Sequence, residues 1–443
     1  VKAERRGIGT SLIAIIIIVL VIIAGAGVYY LSSSKTASTS TATTGTTSPS
    51  STNSVTTSSG LASSSIVSSS SKQSTASPEY AIGSVGYTFN LCSNQLSPGN
   101  VNGSNGGQGC GLEPDAVLPN PANDGNVYVS HVWNLTVFKG TYNAPASYIV
   151  GTATSEQMVY DPANNLIYAT NYEAYGPEPN LKALVSVINP VTGIIVKNIT
   201  VGNTLYNDIN EWGIALDVAN GDLYVAVYCD SGSCDNSNVS VISTTTNTVV
   251  KTLTGFGNCG SAEGCLLSGL MYDPASNDVY VGYLTASNIT LIDAATNRVT
   301  GNINLTLSAG LDSNPVAFAY DPTNGYVYAA EQGTSLVTVL NATSNTVVET
   351  IGSLYYNSTS HVDTYVGGEY NGTQPWGIAF DSAKSYLYVA NFQSDDLTVI
   401  NCATNTIIGT IAVGPSPRGV AYDPVSGYIY VVNHFGDTVS IIV

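Results

Sequence analysis

Charge is scarce in this sequence. Only 9% of its 443 residues are Asp, Glu, Lys or Arg, against about 25% in ordinary soluble proteins. Cations are the scarcest, with 12 Lys and Arg against 30 Asp and Glu, for a formal net charge of −18. A chain so poor in cations lacks the means to gather phosphates, which excludes a nucleic-acid partner. Scarce charge also suits life in acid, where carboxylates protonate. Histidine occurs three times, at His131, His361 and His434, far apart and at unlike repeat positions. With neither clustered His nor C-x-x-C spacing, nothing points to a zinc site. No G-x-S-x-G elbow or H-E-x-x-H is present, so no catalytic residue is identified. The expectation is a chain that is not an enzyme and needs no metal and no cofactor.

What is present falls into three zones. Residues 1–31, "VKAERRGIGTSLIAIIIIVLVIIAGAGVYYL", join a basic start to an uncharged run from Gly7 to Leu31. As a helix that run is long enough to span a bilayer of roughly 30 Å. Lys2, Arg5 and Arg6 would stay in the cytoplasm, so the rest of the chain would lie outside. Residues 32–78 are almost entirely Ser, Thr and small residues. They carry too few apolar groups to repay the entropy of ordering and read as an O-glycosylated stalk. Such a stalk reaches about 40 Å as a free coil and on the order of 150 Å if crowded glycans extend it.

The third zone, 79–443, repeats itself. "YDPANNLIYATN" (160–171), "LDVANGDLYVAV" (216–227), "YDPASNDVYVGY" (272–283), "YDPTNGYVYAAE" (320–331), "FDSAKSYLYVAN" (380–391) and "YDPVSGYIYVVN" (422–433) are one phrase, with a degenerate first copy, "PNPANDGNVYVS" (119–130). The repeat tyrosines are Tyr128, Tyr168, Tyr224, Tyr280, Tyr328, Tyr388 and Tyr430. Each copy parses into four short strands of alternating apolar and β-branched residues, with Asp-Pro and Ala-Thr-Asn turns between them. In the sixth copy these are "WGIAF", "YLYVA", "LTVIN" and "IIGTIAV". Four-stranded units of this period, without helices, predict a seven-bladed β-propeller. The seventh copy stops at "TVSIIV", its third strand. "EYAIGSVGYTFNL" (79–91) precedes the first copy without a partner. We expect it to close the ring as the missing outermost strand.

"YVAN…LTVINCATNTIIGTI" resembles the YVTN family of β-propeller repeats of archaeal and bacterial surface-layer-type proteins. The resemblance implies extracellular binding or structural roles and supplies no catalytic residues. The "RRGIG" junction resembles the class III, prepilin-like signals of archaeal surface proteins, which would place cleavage after Gly7. Leu12 stands where pilins have glutamate, and a plain uncleaved anchor is the alternative. Archaeal surface solute-binding proteins with such signals have similar Ser/Thr linkers.

In a propeller the connections after strands two and four share one face. Here these are the long ones: 172–183, 203–212, 228–238, 254–268 and 353–376. Loops on a rigid scaffold are where binding is usually built. On that face the first strands open with Asp115, Glu156, Trp212, Ser268, Val316, Trp376 and Arg418. The ligand-binding candidates are Asp115, Glu156, Trp212, Trp376 and Arg418, with Trp faces to stack on sugar rings and Arg418 to pair with a carboxylate. The alternative is that these side chains plug the channel and cap strand ends.

Cys92 and Cys110 flank a Gly/Asn-rich segment, Cys229 and Cys234 share one loop, and Cys259 and Cys265 share another. In an exported chain these six favour disulfides, and Cys402 is left as a buried thiol. Sequons at Asn102, Asn134, Asn198, Asn238, Asn288, Asn304, Asn341, Asn357 and Asn371 are expected to be glycosylated in the main. The leading reading is a membrane-tethered cell-surface module that binds an extracellular glycan or protein by its loop-rich face. The others are a structural component that associates with itself or a surface layer, and an extracellular enzyme acting at the channel mouth.

Overall fold

The computed structural model describes residues 82–92, 95–98, 112–119, 121–131, 134–139, 147–150, 155–171, 183–202, 209–229, 237–256, 265–305, 312–352 and 373–443, with two short strands at 21–24 and 27–30. Strand alternation places one row of side chains on each face of a sheet; each of the first six copies contributes four antiparallel strands to one sheet, and the seventh contributes three. Blade one comprises Val117–Pro119, Asn126–His131, Asn134–Lys139 and Ser147–Val150. Blade two comprises Met158–Asp161, Leu166–Thr170, Ala183–Asn189 and Ile194–Val201. Blade three runs Ile209–Asp217, Asp222–Cys229, Asn238–Ser243 and Thr248–Leu253. Blade four runs Leu267–Asp273, Asp278–Tyr283, Asn288–Asp293 and Arg298–Asn304. Blade five is Pro315–Asp321, Tyr326–Glu331, Leu336–Asn341 and Thr346–Ile351. Blade six is Pro375–Asp381, Tyr386–Asn391, Asp396–Asn401 and Thr406–Ala412, the four strands expected of it.

Blade seven supplies Pro417–Tyr422, Ile429–Asn433 and Thr438–Ile442. Its fourth strand is Val85–Asn90, antiparallel to the third, with Phe89 opposite Val439 and Thr88 opposite Ser440. The chain's early segment therefore closes the ring. A further strand, Gln95–Pro98, lies outside it, which the repeat pattern did not foretell.

The repeat residues have structural tasks. Each Asp stabilises the turn between strands one and two by accepting the backbone N–H two residues on. Asp161 takes Ala163, Asp217 Ala219, Asp273 Ala275 and Asp423 Val425, at 2.8–2.9 Å. The repeat Tyr reaches the next blade: Tyr168 donates to Asn247 at 2.6 Å and Tyr328 to Asn405 at 2.7 Å, while Tyr224 meets Asn297 and Tyr280 meets Asn345. Those asparagines turn the chain between strands three and four with φ of 52–54°, a left-handed backbone that Asn tolerates. In two further blades the latch persists with other partners: Tyr128 of blade one donates to the Pro190 carbonyl of blade two at 2.8 Å, and Tyr388 of blade six to the Ile82 carbonyl, just before the strand that closes blade seven, at 3.3 Å. Each such bond is worth about 1 kcal/mol.

First strands crowd around the axis. A Cβ on Gly213 would lie 2.1 Å from the Ser268 carbonyl oxygen, and one on Gly377 2.2 Å from that of Arg418. Only glycine permits that approach. Moving outward, the fourth strands turn solvent-facing, as in Thr248–Leu253, where only Leu253 is buried.

The stalk over 32–78 and most of the membrane-spanning helix expected over 7–31 lie outside the described residues. Within that run, Val21–Ala24 and Gly27–Tyr30 are not helical but form a hairpin, with Ala24 opposite Met271. β-branched Ile and Val accept extended backbone readily. Among the described residues, no helix is long and apolar enough to cross a membrane.

Candidate functional site

First strands begin, and second strands end, on the face that the long connections leave. The mouth is built from both sets of residues. At the end of strand two an Asn locks the blade: Asn391 donates to Thr398 at 2.9 Å, and Asn433 to Thr438 at 2.9 Å and Ser440 at 3.0 Å. The next residue, Phe392 or His434, then sits against the first-strand residues of the mouth.

The structure brings together all five candidates. Arg418 of blade seven forms an ion pair with Asp115 of blade one, across the closure seam. Its Nη1 lies 3.9 Å from Glu156 of blade two. The guanidinium carbon sits 4.6 Å from the Trp376 ring centroid and 5.4 Å from that of Phe392, both of blade six. Trp376 meets Trp212 of blade three at 5.6 Å between centroids. Blades three and six are on opposite sides of a seven-membered ring, so this pair spans the mouth. Ser268 and Val316, by contrast, are wholly internal. The Ser268 hydroxyl donates to the Pro315 carbonyl at 2.9 Å, and Val316 is buried.

Sequence reasoning missed four participants. His434 Nδ1 lies 3.0 Å from Asp115 Oδ1. Phe392 joins the aromatic series, 5.7 Å from Trp376 and 5.7 Å from Phe435. Tyr228 lies 6.3 Å from Trp212. A usable signal existed, because Tyr228, Phe392 and His434 occupy the same repeat position, each the fourth residue after its repeat Tyr. Phe435 follows in a 3-10 turn, His434–Gly436, and is 56% exposed.

The electrostatics are nearly self-contained. Asp115 and Glu156 are 5% and 8% exposed. Burial, and then the neighbouring Asp115 carboxylate, push the Glu156 carboxyl far above its usual range against the opposing pull of Arg418. Arg418 is already matched by an acid of its own chain, unlike the free cation the sequence suggested. Among the described residues no group of three or more His, Cys, Asp or Glu could hold a metal.

The modification sites separate by burial. Asn198 and Asn304 are exposed, and Asn134, Asn288 and Asn341 are half-buried. Asn238 is 4% exposed, so the folded domain does not present it to a transferase. Asn102, Asn357 and Asn371 lie outside the described residues. Cys402 is a free, buried thiol, and burial drives its pKa up. Cys265 is 3% exposed, and Cys92 lies just beyond the closing strand Val85–Asn90. The side chains of Cys110, Cys229, Cys234 and Cys259 are not among those described.

No protein-family model and no curated protein matches the chain. Among solved structures, "Kuenenia stuttgartiensis Hydrazine Synthase" has a chain similar to this one, with a TM-score of 0.59 and 17% sequence identity over 76% of this chain and 97% of that chain. At that identity the likeness concerns the propeller fold alone.

Proposed function

We propose that this chain is a membrane-tethered cell-surface binding module that displays its propeller outside the cell, where it engages a glycan or protein through the loop-rich face. One observation carries the reading: the aromatic residues of blades three, six and seven converge on the face from which the long connections depart. Binding rather than turnover is favoured because Asp115 and Glu156, the two carboxyls of the mouth, are buried and Asp115 is spent on Arg418.

The test is retention of the full chain, in lipid nanodiscs, on isolated cell envelopes. Exchanging 353–372 for a short Gly/Ser linker should reduce retention at least several-fold. Val191→Ser and Val425→Ser, in turns on the opposite face and 73% and 64% exposed, should leave it unchanged. Equal retention by all variants would remove the loop-rich face from the reading.

Display outside the cell has its own check. Glycopeptide mass spectrometry of the native protein should find sugar on Asn198 and Asn304 and none on Asn238. A sugar-free protein would argue against export.

A structural role is the second reading. It is favoured by apolar residues on the outer strands, including Ile194, Val196, Val250 and Val348, which are 45–59% exposed. A protein that stays monomeric in native mass spectra would count against it.

A further inference from the structure

We propose that the channel mouth is a stacking site for a neutral pyranose unit, with Phe435 as its exposed platform and Phe392 and Trp376 continuing that platform inward. The inference rests on the binding reading above and narrows it to one ligand class.

The platform is both presented and held. Phe435 is 56% exposed, yet its turn is pinned on either side. The His434 N–H donates to the Ser416 carbonyl at 3.0 Å, and a Cβ on Gly436 would come within 3.0 Å of Pro415. One exposed aromatic residue is unremarkable by itself. This one is edge-to-face with Phe392 at 5.7 Å, and Phe392 leads to Trp376 at 5.7 Å, both half-buried. The rings thus form a connected apolar surface running from the rim to the axis.

Charge decides among ligands that stack on rings. An ammonium group would seek the ring faces, but Arg418 already places a cation against Trp376 and Phe392. A uronate or other acid would seek Arg418, but Asp115 has taken that charge and Glu156 lies beside it. A ligand anion would gain no net positive charge here and would meet two buried acidic groups. What remains favourable is a neutral molecule with an apolar face and hydroxyls around it. The C–H face of a pyranose meets an aromatic ring in that way. Asp115 engages only Nη1 of the guanidinium and the Arg418 side chain is 16% exposed, so of its five N–H donors those on the accessible side retain capacity to donate to hydroxyls.

The experiment titrates the full chain in nanodiscs with two sets of soluble probes. The neutral set is cello-, malto-, manno- and chito-hexaoses; the acidic set is oligogalacturonate and oligomannuronate. Tryptophan emission, to which Trp212 and Trp376 contribute, and calorimetry are the readouts. At least one neutral probe should bind and shift the emission, and the acidic probes should bind at least about tenfold more weakly. Phe435→Ala should weaken the neutral probe about tenfold, the loss of one aromatic stack. Phe435→Trp should restore it. Uronates binding as well as neutral probes, an unaffected Phe435→Ala protein, or no binding by any neutral probe would each overturn the proposal. Envelope retention that survives alongside such a result leaves the loop-face reading standing; loss of both removes both.

Discussion

Phe89→Ala should lower the unfolding free energy of the propeller by about 3–5 kcal/mol, although Phe89 lies outside every repeat copy. Phe89 sits in the strand that closes blade seven and is 3% exposed. Its ring stacks on Phe138 of blade one, with centroids 4.1 Å apart and planes 7° from parallel. One side chain thus both closes blade seven and binds it to blade one. The backbone around it does the same. The Leu91 N–H donates to the Asp437 carbonyl at 3.0 Å, and Asp437 Oδ1 accepts the N–H groups of Leu112 and Glu113 at 3.0 and 2.9 Å. Without this strand, Thr438–Ile442 would become an open edge with Val439 and Ile441 bared beside it, which invites pairing with other chains. Urea unfolding followed by circular dichroism supplies the measurement. Tyr87→Ala, at a position 40% exposed, is the control and should cost well under half as much. A Phe89→Ala protein within about 1 kcal/mol of the parent would show that ring closure lies elsewhere.

That strand was legible because the repeat made its absence visible: a seventh copy ending at its third strand needed a partner, and only one unassigned strand-like segment existed. The Asp turns were legible for a similar reason, since local chemistry alone sets them. Residues that meet across the ring were harder to read. Arg418 and Asp115 are 303 positions apart and touch only because the ends of the chain meet. Trp212 and Trp376 touch only because the channel is narrow enough for two indoles to bridge. Repeat alignment placed these residues on one ring of positions but gave no radius. His434 and Phe392 escaped because attention to the openings of first strands ignored the ends of second strands, which abut them. Asn238 shows the same limit from another side. A sequon is a three-residue pattern, whereas burial at the start of a third strand depends on the whole blade.

Acidification from pH 7.5 to about 4.5 should stabilise this protein, where many proteins weaken in acid. The repeat turns bury carboxyls close to one another. Burial raises the pKa values of Asp217, Asp273 and Asp321 even though each carboxyl accepts backbone N–H bonds that pull the other way. It does the same to Glu331, despite hydroxyl bonds from Thr334 and Thr338, and to Asp396. Glu156 at the mouth is raised by burial and by Asp115. A carboxyl raised in the folded state binds its proton more tightly there than in the unfolded chain, where protonation centres near pH 4. Between those two values folding takes up protons, so unfolding becomes harder as pH falls. The stabilisation is complete below the unfolded values and is lost as pH rises through each raised folded value. Each tenfold gain in proton affinity on folding is worth about 1.4 kcal/mol. Relief of self-repulsion acts in the same direction, since the chain carries −18 at pH 7. Urea midpoints measured across this range should therefore rise toward acid. Asp273→Asn keeps an acceptor for the Ala275 N–H while removing the titration, so that variant should show a shallower slope and regain stability at pH 7.5. A midpoint that falls steadily from pH 7.5 to 4.5, with the same slope in Asp273→Asn, would mean that paired carboxylates outweigh the buried ones and that these turns contribute nothing to acid tolerance.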